Sequence, residues 1–325
     1  MSLAIAFRVT GADAVGGVGG VASSGIAEVV RGSRRPVRVL AAFPAAVYLE
    51  HDDGLLSLVA ADGVAHPNSV ALARRLDRSL ATFRPGSSGE VGELSLRLSG
   101  LEVGVTRWFD PRPRLRPTDP DVLAARAAAA TRMAVAQVGP TPGALADRLA
   151  VLVASLRGGH GDAAIRAADR LLGLGPGLTP AGDDALAGLF AATPAFVAAL
   201  PADGAAAPMR GVALTDRVAR VAEHVVGRAP AATTAVSAAL LRHAARGEVA
   251  GPAATVLRAL TGPHRDHADA DLAAAVRALL AVGSTSGRDL LLGLLAAADL
   301  ASSAAASAAA AHLVVRATAP TGGRA

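Results

Sequence analysis

The chain predicts an α+β protein, with a β-rich N-terminal barrel or sandwich domain over residues 1–115 and an α-helical bundle domain over 116–325. Three observations carry this. Short apolar runs bounded by Gly, Pro or Asp fill the first third, at the spacing of a small antiparallel barrel or sandwich. An Arg- and Pro-rich stretch, Asp110–Pro117, then reads as a linker. Beyond it, helical spacing of apolar residues continues almost to residue 315.

In order along the chain, Gly11–Gly20 reads as a mobile glycine-rich turn. Its glycine spacing resembles a dinucleotide loop only superficially, because no helix opens after it. Strands are expected at Ala27–Val30, Val37–Leu40, Ala46–Leu49, Leu55–Val59 and Leu94–Leu98. Ser69–Phe83 has helical periodicity through Leu72, Leu76, Leu80 and Phe83, with Asn68 and Ser69 as a cap. Thr118-Asp119-Pro120 opens the helical part, which Gly- and Pro-containing turns divide into about eight helices.

Composition narrows the function. At 325 residues and 52% hydrophobic, the chain can bury one large core or two modest ones. The net charge of +5 invites a nucleic-acid reading, but all 32 basic residues are arginines dispersed along the chain. Aromatics at 2% leave few rings to stack bases, so no nucleic-acid partner is expected. The absence of Cys excludes thiol nucleophiles, disulfides and thiolate metal sites, and the absence of Lys excludes Schiff-base chemistry and the lysine-dependent phosphate loop. The N-terminus lacks the cationic start and apolar core of a signal peptide, so a cytoplasmic protein is expected. Leu290–Val315 is strongly apolar, yet Asp299, His312 and three serines favour a buried helix over a membrane span.

The densest chemical signal is Gly175-Pro-Gly-Leu-Thr-Pro-Ala-Gly-Asp-Asp184, running into an apolar helix. Thr179 suits the cap, Pro180 the first helical position, and Asp183 and Asp184 the positive end of the helix dipole. Gly182 is out of place in a first turn unless something approaches the backbone closely. The pattern recurs without a gap. Asp184-Ala-Leu-Ala-Gly-Leu189 aligns on Asp289-Leu-Leu-Leu-Gly-Leu294, Gly182 on Gly287, and Thr179 on Ser284, with Thr285 and Ser286 beside it.

Two helix starts facing one pocket are therefore expected, with Gly175, Gly177, Gly182 and Gly287 exposing backbone to an anion. The aspartates would repel a bare phosphate and suit an amide, an amine, an arginine or a metal ion. The favoured ligand thus has an anionic end and an N–H-donating end. Thr233, Thr234 and Ser237 open a further helix, either as caps or as ligand contacts. His264-Arg-Asp-His267 spaces two histidines helically but dictates no third ligand, so solvated residues are the expectation there.

Gly173-Leu-Gly-Pro-Gly-Leu-Thr-Pro-Ala-Gly-Asp-Asp184 followed by Leu186-x-Gly188 closely resembles the hallmark of the AllH family of oxamate carbamoyltransferase subunits. Thr233-Thr234-x-x-Ser237 with Ala244 and Gly247, and Gly283-x-Thr285-Ser286-Gly287-x-Asp289, resemble its later motifs. The resemblance covers the helical half well and the β-rich half loosely. At Ser284 the family often has histidine. The resemblance implies a subunit of a complex with two unlike protein partners that converts oxalurate and phosphate to oxamate and carbamoyl phosphate. It implies substrate contacts from the 175–182 loop, from Asp183 and Asp184, and from Thr285, Ser286 and Arg288. No cofactor is expected, with Mg at Asp183/Asp184 as the one candidate. The alternative is a noncatalytic scaffold or ligand-sensing subunit.

Overall fold

A computed structural model describes residues 9–11, 18–52, 54–201, 207–263 and 267–318. The β-rich part is a closed barrel followed by a helical region. The strands are β1 (Val9–Gly11), β2 (Val18–Ser23), β3 (Arg35–Phe43), β4 (Ala46–His51), β5 (Gly54–Val59), β6 (Ser69–Leu72), β7 (Ser88–Gly92), β8 (Ser95–Leu98) and β9 (Leu101–Phe109). Eight of them close in the order β9-β2-β6-β5-β4-β3-β7-β8, with β8 returning to β9; β1 pairs with the far end of β9. Closure removes the sheet edges that an open meander would expose. Val39, Leu49, Leu56, Leu58, Val70 and Val103 fill the interior. Gly20 belongs to that filling: a Cβ there would lie 2.6 Å from Val103 Cγ1.

Four of the expected strands form, and three other expectations change. Ala27–Val30 is not a strand but the start of a short helix, α1 (Ala27–Arg31). It follows a turn capped by Ser23 and carries Glu28 and Arg31 at the dipole-favoured ends, with Val30 buried. Near its end Leu94 N–H donates to Val30 O, and Glu93 N–H donates to Gly32 O just beyond the helix. The helix expected over Ser69–Phe83 is instead β6 and a 3-10 turn at Leu80–Thr82. All four β6 residues are buried between β2 and β5, and that two-sided pairing overrides the i, i+4 spacing of the leucines. Of the glycine-rich segment, residues 12–17 lie outside the described residues, whereas Gly19 and Gly20 are strand, not turn.

Asp119 caps the helical region, its carboxylate accepting from Asp121 N–H at 2.8 Å. Among the described residues nine helices follow: α2 (Pro120–Val138), α3 (Gly143–Arg157), α4 (Gly161–Asp169), α5 (Ala181–Ala199), α6 (Ala207–Ala232), α7 (Ala235–Ala244), α8 (Gly251–Leu260), α9 (Ala268–Leu280) and α10 (Ser286–Thr318). Ser286–Ala306 is long and apolar enough to cross a membrane. Here it is the central helix, packed most extensively on α5 and also on α2 and α6.

The α5–α10 crossing explains the repeated sequence. A Cβ at Gly188 would strike Leu290 O, and one at Gly293 would strike Ala185 O, so the two backbones touch at paired glycines. One further turn back the equivalence holds again. Gly182 lies against Leu171 O and donates its N–H to Leu174 O; Gly287 lies against Leu279 O and donates to Val282 O. Each helix start is folded onto the end of the preceding helical turn, and any side chain at the glycine would separate the two.

Candidate functional site

The starts of α5 and α10 meet. Thr179 Oγ1 and Ser286 Oγ are 2.7 Å apart, and both hydroxyls hydrogen-bond toward the carboxyl of Asp184. Thr179 therefore does not cap α5: the cap position is Pro180, with no side-chain hydrogen bond. Thr179, Ser286 and Asp184 line a cavity of about 260 Å³ whose opposite wall comes from the barrel, including Tyr48 on β4 and His66 in the turn before β6.

Asp184 is buried and its Oδ2 has no partner. Burial pushes its pKa up to about 8, against the lowering hydrogen bonds of Ser286 and Thr179 and with further upward pressure from Asp289 and Asp183. At neutral pH this carboxyl is mostly an O–H donor. Tyr48 is also raised, by burial and then by the charge of Asp184, which couples barrel and helical region electrostatically. Burial lowers His66 to about 4, leaving a neutral imidazole on the cavity wall. The His66 turn is held by Ser69, which accepts from His66 N–H at 3.1 Å and donates to His66 O at 2.7 Å.

Glu248 reaches the same cavity and is bound behind it to His243, Nδ1 to Oε2 at 2.5 Å, and to Arg246 at 3.1 Å. The His243–Glu248 pair is buried against Gly25 of the barrel, where a Cβ would lie 2.8 Å from Glu248 Oε2. Burial first lowers the His243 pKa. The hydrogen bonds from His243 and Arg246 hold Glu248 below its usual value despite burial.

The remaining sequence-predicted residues stand around this cavity in different roles. Asp183 engages both oxygens within the chain, Oδ1 accepting from Gly173 N–H at 2.7 Å and Oδ2 from the Thr233 hydroxyl. Thr234 caps α7, accepting from Ser237 N–H at 3.1 Å, and donates to Leu178 O at 2.5 Å. These bonds tie the 173–180 loop to α7. Ser237 is buried beside them. Gly175 and Gly177 adopt φ of 110° and 99° in an exposed part of that loop, conformations that favour glycine.

The close approach expected at Gly182 is made by Leu171 of the chain itself. The Gly182 and Gly287 amides are likewise engaged, to Leu174 O at 2.9 Å and Val282 O at 3.0 Å. Ser284 and Thr285 are exposed. Asp289 is fully buried, with Oδ1 accepting from Arg288 Nε at 3.0 Å and Oδ2 unpartnered. Arg288 itself lines a different groove, between α2, α3 and α10. His264 to Asp266 lie outside the described residues. Among the described residues no three His, Asp or Glu side chains are grouped as metal ligands.

Tyr48, His66 and Glu248 were not singled out from sequence. Tyr48 carried a usable signal as the sole tyrosine of the chain, placed in a predicted strand. His66 and Glu248 reach the cavity only through the docking of the barrel on the helices, where Gly251 N–H donates to Ala65 O at 3.0 Å and Val249 N–H to Pro111 O at 3.0 Å.

Residues 171–298 match the family model described as oxamate carbamoyltransferase subunit AllH. The matched segment begins just before the Gly175 loop and ends within α10, so it contains both glycine-crossed helix starts and all of α7. The chain thus resembles the AllH family across the half of the site contributed by the helical region. No solved structure matches the chain.

Proposed function

We propose that this chain is a subunit of an oxamate carbamoyltransferase-like complex with two unlike partner subunits. Its cavity at the α5 and α10 starts would bind the small amide-bearing acid, oxamate or oxalurate. The observation that carries the reading is Asp184: a buried carboxyl that retains its proton near neutrality, facing Tyr48 and a neutral His66 in a cavity sized for a small molecule. As an acid, Asp184 donates to a ligand carboxylate or carbonyl, and the Tyr48 hydroxyl supplies a second donor. The hydroxyls of Thr179 and Ser286 can accept from the amide N–H groups.

When oxalurate is cleaved by phosphate, a phosphate oxygen bonds to the carbamoyl carbon and the bond from that carbon to the oxamate nitrogen breaks. The departing nitrogen must gain a proton. A carboxyl whose pKa lies near the working pH is suited to supply it.

A specific observation favours the noncatalytic alternative as the second reading. Among the described residues no arginine lines this cavity. The charge of a departing or attacking phosphate must therefore be met by groups outside it. Titration calorimetry with oxamate tests the binding claim: wild type binds and Asp184→Ala does not, whereas equal binding by both would sink the proposal. Phosphate release from carbamoyl phosphate plus oxamate, measured for the chain alone and with its partner subunits, separates the readings. Turnover only in the complex supports the ligand-holding subunit, and turnover by the chain alone supports a self-sufficient catalyst.

A further inference from the structure

A second and larger cavity, about 590 Å³, lies on the other side of the Val64–His66 segment. Val64 lines both cavities, and the bond from Gly251 N–H to Ala65 O closes the wall between them. The chemistry on the far side of that wall is opposite. Arg114, Arg116 and Arg258 line the larger cavity, and among the described residues Asp271 is the one carboxylate on its wall.

The arginines are presented by design of the backbone. Arg114 and Arg116 flank Leu115 in the segment that joins β9 to α2. Leu115 packs against the helical core, and the two arginines share the face toward the cavity. Neither Arg114 nor Arg116 forms an ion pair among the described residues. Arg258 comes from α8, on the opposite wall, and burial lowers its pKa, which marks a guanidinium partly withdrawn from water. Two lining residues just beyond α8, Gly262 and Pro263, accept from Arg126 through their carbonyls.

We infer that this cavity is a binding site for a phosphate-bearing small molecule, separate from the ligand of the Asp184 cavity. The inference goes beyond the amide-acid reading and does not rest on it. Arg114 and Arg116, which face this cavity without an ion-pair partner among the described residues, favour an anion there. The planar fork of arginine matches phosphate oxygens in bidentate geometry. The volume falls within the range of small-molecule sites.

Calorimetry on the full chain, with inorganic phosphate and pyrophosphate as probes and citrate as a polycarboxylate control, tests the site. Pyrophosphate should bind more tightly than phosphate and citrate. Arg114→Gln and Arg116→Gln, both at exposed positions, should each weaken it about tenfold, the loss of roughly one charge-assisted contact. Asp184→Asn should leave pyrophosphate binding unchanged. No pyrophosphate binding by wild type, or binding that survives Arg114→Gln/Arg116→Gln unaltered, overturns the site. Tighter binding of citrate than of pyrophosphate overturns the phosphate assignment. Pyrophosphate binding by a wild type that binds no oxamate would sink only the amide-acid reading.

Discussion

Asp184→Asn isolates the cost of keeping a carboxyl in the cavity. In the unfolded chain the group titrates near 3.8; in the folded protein it titrates near 8. Folding therefore binds a proton between those values. The stability contribution is fully present below pH 3.8 and is lost as pH rises through 8. About four units at roughly 1.4 kcal/mol each is on the order of 5 kcal/mol, and water in the cavity reduces this to about 2–5 kcal/mol. Asparagine keeps the shape and an acceptor for Ser286 and Thr179 but does not titrate. Urea unfolding at pH 5, 6, 7 and 8 should show Asp184→Asn gaining on wild type with each step, by most of that amount at pH 8. Subtracting the two curves removes the opposite contribution of His66, whose folded value near 4 makes stability fall on acidification. Parallel curves for the two proteins would refute the buried-proton account.

Three other outcomes follow from the same geometry. Thr233→Val removes the donor to Asp183 Oδ2 and leaves a buried carboxylate oxygen unpaired, so unfolding free energy should fall by about 1–3 kcal/mol in urea titrations. Gly293→Ala drives a methyl group into Ala185 O at the α5–α10 crossing; a loss of roughly 3 kcal/mol or a failure to fold is expected, whereas Gly177→Ala, with open space around it, should perturb only the strain of its φ of 99°. Tyr48→Phe should lower oxamate affinity about tenfold while leaving the melting temperature within a few degrees, since one donor is lost and the ring remains.

The legible part of the sequence was that in which local chemistry and tertiary packing agree. Four strands were read from short runs that alternate or fill the barrel, and Asp119 announced the helical region by its cap. The failures have a common physical origin. Ser69–Leu72 is buried between two strands, so its environment and not its leucine spacing decides its state, and the helix at Ala27–Val30 is tied at its end by Leu94 N–H, which donates to Val30 O from more than sixty residues away. At the site, the repeated Gly-x-Asp exposed one wall. Tyr48, His66 and Glu248 came from the seam, and no spacing in a single chain encodes which barrel strand will face which helix.

The repeat itself separates packing from function. Gly182 and Gly287 each meet a backbone carbonyl of the preceding turn, Gly188 and Gly293 meet the backbone of each other's helix, and both pairs are required by backbone approach. The aspartates are not equivalent. Asp289 is closed off with Arg288 on α10, while Asp184 opens on the cavity wall that the barrel completes. A duplicated helix start thus supplies the scaffold, and the barrel, docked on one side only, leaves one of its two carboxyls on the wall of a cavity. The same asymmetry places the arginine-lined cavity beyond the Val64–His66 wall, where α8 and the 110–117 linker, which have no counterpart in the repeat, contribute the positive charge that the Asp184 cavity lacks.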